Sequence, residues 1–173
     1  LGVGDGSFGA AQDSAAGDFP ISVEIGDLDG DGVPDLAVAN VGSDDVSVLL
    51  AAVPWTLAAA QSFAAGGFPA SAAIGDLDAD GVPDLVIANE MSNNVSVLLG
   101  AGDGSFAAAQ NFAAGSQAIS VAIGDLDVDG VPDLAVANDT TSGTVTILLG
   151  VGDGTFGSGQ GFATGSRSLS VAI

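Results

Sequence analysis

The sequence predicts an all-β chain of repeated four-stranded sheets stacked face to face, and three observations carry that expectation. One string, Gly-Asp-Leu-Asp-x-Asp-Gly-Val-Pro-Asp-Leu, occurs three times at a spacing of 49 residues, starting at Gly26, Gly75 and Gly124. No stretch sustains a helical apolar period, whereas each unit holds four short runs of strand composition separated by Gly, Asp, Asn and Ser clusters. The apolar content is also thin: 47% of the 173 residues are hydrophobic, but 30 of these are Ala, and 27 further residues are Gly. Small side chains bury little area each, so the core must come from many closely apposed layers, with Val, Ile, Leu and eight Phe supplying most of the apolar surface.

In the third unit the strands are expected at Ile119 to Gly124, Asp133 to Asn138, Val145 to Leu149 and about Phe156 to Phe162. In the second of these, Leu134 and Val136 point to one face and Ala135 and Ala137 to the other, so both faces are apolar, one bulky and one flat. Such a sheet must be covered on both sides, and stacking bulky face on flat face does this. The short turns between strands and the period of 49 favour antiparallel meanders, hence the blades of a β-propeller, over the coils of a solenoid. The expected organisation is one partial propeller domain over 1–173, with units of about 26–74, 75–123 and 124–173 and with 1–25 ending a preceding blade. Three complete blades with partial strands at both ends make an arc of a larger propeller. A Gly-rich turn with an aromatic follows the third strand, at Gly102 to Phe106 and Gly152 to Phe156, with an early copy at Gly4 to Phe8; the first full unit reads Val53 to Leu57 instead.

Charge and composition narrow the chemistry. There are 22 Asp and Glu against a single basic residue, Arg167, for a formal net charge of -21. That field repels phosphate backbones and anionic lipid, which argues against nucleic-acid binding and electrostatic membrane docking and makes cations the natural partners. The sequence has no Cys, His, Tyr or Lys, and so no thiol, imidazole, phenol or amine for nucleophilic or general-base catalysis or for a zinc site. No apolar run is long enough to span a bilayer as a helix.

Twelve of the 22 acids lie in three nine-residue loops of the form D-x-D-x-D-G-x-x-D. These are Asp27, Asp29, Asp31 and Asp35; Asp76, Asp78, Asp80 and Asp84; and Asp125, Asp127, Asp129 and Asp133. Carboxylates at positions one, three, five and nine, Gly at six for a sharp turn and the backbone carbonyl of Val33, Val82 or Val131 at seven wrap hard oxygen ligands around one Ca²⁺, about three ions per chain. Hard-oxygen donors select Ca²⁺ over transition metals, and a mostly protein-made shell disfavours Mg²⁺. An EF-hand is excluded, because position 12 is the apolar Val38, Ile87 or Val136 where that motif needs Glu. Without a cation, like charges this close repel and the loop opens.

The units GDLDGDGVPDLAVAN, GDLDADGVPDLVIAN and GDLDVDGVPDLAVAN, each followed by VSVLL or VTILL and in two cases by GDGSF or GDGTF, resemble the FG-GAP / VCBS repeats of bacterial surface and secreted proteins. They are similar to the calcium-binding blades of integrin alpha heads. The resemblance covers essentially the whole chain. It implies a β-propeller, usually seven-bladed, with calcium in the hairpin between the first two strands of a blade, held by the Asp positions just named. It also implies an extracellular or cell-surface location; any signal peptide lies outside this fragment.

Alternating hairpins place the calcium loops and Gly-Asp-Gly turns on one face, and the tips at Val41 to Asp45, Glu90 to Asn94 and Asp139 to Thr144 on the other. Those tips vary between units, as a recognition surface for a protein or glycan does and as drift does equally. The expected function is therefore a calcium-binding, non-catalytic extracellular propeller segment serving adhesion or ligand binding. The alternative is the scaffold of a secreted polysaccharide-active enzyme, which needs two carboxylates across a cleft with one pKa raised; no such pair stands out. Glu24, placed where the other units have Ala73, Ala122 and Ala172, reads as a strand-edge acid or a channel contact. Trp55 reads as cover for the missing Phe or as a partner anchor, and Arg167 as a surface salt link or a carboxylate holder. Asp5, Asp103 and Asp153, each between glycines, read as tight turns.

Overall fold

A computed structural model of the chain describes residues 12–53 and 56–173. Three four-stranded antiparallel sheets follow one another along the chain. The first contains β1 (Pro20–Gly26), β2 (Asp35–Asn40), β3 (Asp45–Leu49) and, beyond the small hairpin β4 (Ala51–Ala52) and β5 (Thr56–Leu57), β6 (Gln61–Ala64). The second contains β7 (Pro69–Gly75), β8 (Asp84–Asn89), β9 (Asn94–Leu98) and β10 (Gln110–Ala113). The third contains β11 (Ala118–Gly124), β12 (Asp133–Asn138), β13 (Thr144–Leu148) and β14 (Gln160–Ala163). No helix occurs among the described residues. The sheets are β-propeller blades whose first strands β1, β7 and β11 lie side by side.

Register repeats from blade to blade. Gly26, Gly75 and Gly124 pair with Asp35, Asp84 and Asp133, so the metal-type loop is the hairpin connection between the first two strands of every blade, β1–β2, β7–β8 and β11–β12. Near the start of each first strand the ladder is irregular, between Pro20 and Ser22, Pro69 and Ser71, and Ala118 and Ser120. The proline in two of these sites has no N–H to give to a ladder, which suits it to an irregular strand start.

The blades pack bulky face on flat face, as the alternation in the second strand predicts. Between blades one and two, Leu85, Ile87 and Leu98 meet Ala37, Val46 and Val48; between blades two and three, Leu134, Val136 and Leu148 meet Val86, Ala88, Val95 and Val97. Edge-to-face phenylalanine pairs close the outer rim of both interfaces, Phe63 with Phe106 at 5.3 Å and Phe112 with Phe156 at 5.4 Å between centroids. At the inner rim an isoleucine from one blade lies over a glycine of its neighbour. A β-carbon at Gly26 would fall 3.0 Å from Ile74, and one at Gly75 would fall 3.0 Å from Ile123. Ile173 covers Gly124 in the same way, so the segment ending at Ile173 takes the place a further first strand would take.

The leucine at loop position two crosses the blade boundary. Leu28 and Leu77 are each 1% exposed beneath the following blade, while Leu126 is 38% exposed. On the opposite side of the arc, Val23 and Ile25 of β1 are 55% and 67% exposed.

Two details differ from expectation. The first strand of the third blade begins one residue earlier than expected, at Ala118, and the third is displaced by one residue, both within ordinary end fraying. The fourth strand is shorter than the expected Phe156 to Phe162: Phe156 makes an isolated bridge with Gly150, and the ladder resumes only at Gln160. Between them Gly157, Ser158 and Gly159 leave β13, and a β-carbon at Gly159 would come within 3.0 Å of the Ala113 carbonyl of the neighbouring blade. The second blade breaks at the same place, with Phe106 bridged to Gly100 and β10 resuming at Gln110 after three alanines, so the interruption belongs to the blade pattern and not to the glycines.

Leu77→Ala is expected to lower the unfolding free energy by about 2–5 kcal/mol, and Leu126→Ala by less than half as much, because only Leu77 leaves a cavity. Urea denaturation of the two variants under the same calcium concentration measures the difference.

Candidate metal centre

Each loop is organised by its first and last aspartates before any ion is considered. Position nine is fully buried: Asp35, Asp84 and Asp133 are 0%, 1% and 1% exposed. One oxygen of each accepts the N–H of the loop leucine, from Leu28 and Leu77 at 2.7 Å and Leu126 at 2.8 Å. The other accepts the N–H of the residue that leaves the third strand, from Ala51 at 2.7 Å and from Gly100 and Gly150 at 2.8 Å. This carboxylate thus ties together the loop and the exit of the third strand. Burial raises the pKa of Asp84 above its ordinary value of 3.8, with the nearby Asp78 and Asp80 charges adding to it and the two backbone N–H bonds opposing.

Position one closes the turn from the other side. Asp27, Asp76 and Asp125 accept the N–H of Gly32, Gly81 and Gly130 at 2.9, 3.0 and 3.0 Å. Those glycines have φ of +83°, +86° and +88°, a region a side chain enters only at a cost, which explains Gly at position six. Position four also has positive φ: Gly30 at 76°, Ala79 at 61° and Val128 at 65°.

Positions one, three and nine converge. In Asp27, Asp29 and Asp35, in Asp76, Asp78 and Asp84, and in Asp125, Asp127 and Asp133, one oxygen per residue lies within 4.8 Å of the others. These are three groups that offer a metal ion hard oxygen donors. Position five stands apart from the triads: Asp31, Asp80 and Asp129 accept the N–H of Val33, Val82 and Val131 at 2.7, 2.7 and 2.8 Å and act as turn-makers. The electrostatics fit a cation. The pKa of Asp29 is raised by desolvation and then by the charges of Asp31, Asp35 and Asp27; that of Asp127 is raised by desolvation and by Asp129, Asp133 and Asp125. Asp76 Oδ1 is buried without a hydrogen-bond partner, an anionic oxygen of the kind that a metal ion or a bound water satisfies.

The Gly-Asp-Gly turns lie against these loops on one face. Gly100 and Gly102 lie beside Val82 and Pro83, and Gly150 and Gly152 beside Val131 and Pro132. Asp103 and Asp153 accept both the N–H and the hydroxyl of Ser105 and Thr155, which lowers their pKa, so they are the tight turns expected of them. The turn also reaches across blades, because Gly154 donates its N–H to the Leu77 carbonyl at 3.3 Å. On the opposite face Asp44 accepts the N–H of Phe68, and Asn93 that of Gln117, joining the β2–β3 and β8–β9 tips to the link into the next blade. Arg167 forms a two-pronged pair with Asp139, which lowers the Asp139 pKa. Glu24 lies half-buried on β1 opposite Ala37, with its pKa raised by burial. Asp5 and Trp55 lie outside the described residues, as do parts of the turn from Val53 to Leu57.

Sequence reasoning missed a second buried polar set. Asn40, Asn89 and Asn138 end the second strands, fully buried. Asn89 donates to Asn94 and Ser96 at 2.9 Å, and its oxygen accepts the N–H of Gly66 at 3.1 Å. Asn40 likewise donates to Asp45 and Ser47, while Asn138 donates to the Ala114 carbonyl and accepts from Thr146. The signal was present: Asn ends each VAN or IAN string, followed by a hydroxyl residue seven positions on in the first two units and eight in the third, which carries one inserted residue.

Residues 76–136, which hold the second and third loops, match the family of FG-GAP-like repeats. The match falls within the second and third units, and the first unit contains the same Asp string. No curated protein matches the chain. Among solved structures, a chain described as BBS1N in complex with ARL6DN, soaked with lead, superposes with a TM-score of 0.56 at 14% identity, over 91% of this chain and 48% of that one. At that identity the likeness concerns the fold, and this chain spans about half the length of its neighbour.

Asp84→Asn is expected to destabilise the protein by about 1–3 kcal/mol even in chelator, because an amide cannot accept two backbone N–H bonds as the carboxylate does. Asp78→Asn in chelator is expected to be neutral or stabilising, since it removes like-charge repulsion; chemical denaturation of the two variants checks the contrast. The second expectation concerns pH. With its folded pKa below 3.8, the Asp139 pair contributes stability that is fully present above 3.8 and lost as pH falls through the folded value. Carboxyl NMR titration is expected to return Asp139 to the ordinary range in Arg167→Gln.

Proposed function

We propose that the chain is a calcium-stabilised, non-catalytic segment of an extracellular β-propeller that serves adhesion or ligand binding. The observation that carries the reading is the threefold recurrence, in one register, of an aspartate triad in the hairpin between the first two strands of a blade. The Asp76 oxygen, buried and without a donor, supports the same conclusion. Asp27, Asp29 and Asp35, with Asp31 and the Val33 carbonyl, hold the first ion; Asp76, Asp78, Asp84, Asp80 and Val82 the second; Asp125, Asp127, Asp133, Asp129 and Val131 the third. Oxygen donors alone, in a nine-residue loop with a tight glycine turn, suit Ca²⁺.

The ion is a staple. Each loop carboxylate recurs at the same position in every unit, which supports metal holding over the divided labour of an acid and a base. Extracellular modules bind Ca²⁺ at roughly 10⁻⁴ to 10⁻³ M, a range suited to surroundings outside the cell. Residues 1–173 form one partial propeller domain within a larger ring, a reading supported by the exposure of Leu126 where Leu28 and Leu77 are buried. Recognition of a protein or glycan falls to the face opposite the loops, where Val41 to Asp45, Glu90 to Asn94 and Asp139 to Thr144 differ between blades.

Calorimetric titration of chelator-stripped protein is expected to show about three ions per chain. The melting temperature is expected to rise with calcium, each site adding about 2.7 kcal/mol when free calcium is a hundredfold above its Kd. No calcium uptake would overturn the reading.

A further inference from the structure

The three loops share one ligand string but differ at the residues between the ligands, and two of those differences act on binding. Position four lies in the left-handed region in every loop, with φ of 76° at Gly30, 61° at Ala79 and 65° at Val128. Glycine enters that region freely, alanine at a cost, and a β-branched valine at a larger one, because its two γ-carbons crowd the backbone. Val128 is also 86% exposed, so no packing repays the strain. The second difference is at position two. Leu28 and Leu77 are anchored beneath the next blade, and their N–H groups hold Asp35 and Asp84 in place; Leu126 makes the same bond to Asp133 while 38% exposed.

We infer that the three sites form a graded series, tightest at the loop of Asp27 and weakest at the loop of Asp125, with the residue at position four as the main determinant of the grade. The inference rests on the metal reading proposed above. A loop free of metal relaxes under the repulsion of its carboxylates, and the ion must draw position four back into the left-handed region. Binding at the third loop therefore carries the cost of ordering Val128, and binding at the first does not. Glycine's greater freedom in the relaxed loop offsets part of this advantage. The weak third site also lies where Leu126 faces outward, so any surface that covers Leu126 anchors its N–H and tightens that site in particular. Calcium level then selects states: the first two loops fill first, and the third fills only at the upper end of the range.

Calcium calorimetry on the whole chain, with the variants Val128→Gly and Gly30→Val, tests the series. The wild-type isotherm is expected to resolve at least two affinity classes. Val128→Gly is expected to tighten the weakest class about tenfold and Gly30→Val to weaken the tightest class by a similar factor. Asp125→Asn with Asp127→Asn assigns the sites: the doubly substituted protein is expected to lose the weakest class and keep the other two. Far-ultraviolet circular dichroism of every variant at saturating calcium shows that the blades are folded. Three sites of equal affinity, or a Val128→Gly variant with an unchanged weakest class, would overturn the series and leave the metal reading standing. Absence of calcium binding in the wild-type chain would overturn the metal reading, and the series with it.

Discussion

A buried carboxylate with two backbone N–H partners is the constraint on which each blade depends. Asp35, Asp84 and Asp133 each join a loop leucine to the exit of the third strand, across seven residues on one side and 16 or 17 on the other. A charge in that position is costly unless it is bonded, and the bonds come from a loop that has no other regular structure. Loop, second strand and third-strand exit therefore hold together as a unit. The loop leucine then passes under the following blade, so order in one blade carries into the next through Leu28 and Leu77. Metal binding, if it supplies the remaining charge balance, adds to a joint that the chain already makes for itself.

The polar interior is divided between two ends of each blade. At the loop end the buried groups are carboxylates, facing a site for a cation. At the other end they are mainly amides and hydroxyls, Asn89 with Asn94 and Ser96 for example, joined in the first blade by the Asp45 carboxylate, which accepts from Asn40. Between these ends the interfaces are aliphatic, with Leu85, Ile87 and Leu98 against Ala37, Val46 and Val48. Alanine supplies the flat face that brings neighbouring sheets close enough for the larger side chains to fill the space.

The blade architecture was legible because a period of 49 residues and the alternation of Leu134, Ala135, Val136 and Ala137 leave few ways to bury both faces. The hairpin position of the acidic loops was legible too, since a turn of this composition lies between two strand-like runs. What could not be read was which aspartates converge. Position five has the same side chain as positions one and three and, like position three, accepts the N–H two residues ahead, yet only positions one, three and nine converge. That outcome depends on local dihedral angles. The double role of position nine was hidden for a similar reason, as its partner Gly100 lies 16 residues away, and distance along the chain gives no sign of it. The break before β14 recurs before β10, across Gly157 to Gly159 in one blade and Ala107 to Ala109 in the other, and so has no signature in residue type.

The isoleucine that lies over a glycine at the inner rim fixes more than a contact. Where two sheets meet at the first strands, Ile74 over Gly26 and Ile123 over Gly75 let the backbones approach to the limit set by a missing methyl group, while at the outer rim a pair of phenylalanine rings holds the same sheets apart. Thin at one end and thick at the other, each junction is a wedge, and the curvature of the arc is the sum of these wedges. A methyl group at Gly75 would push the thin end open and flatten the bend. The radius of the ring that such units build is thus written into a residue defined by what it lacks, repeated once per turn of the pattern.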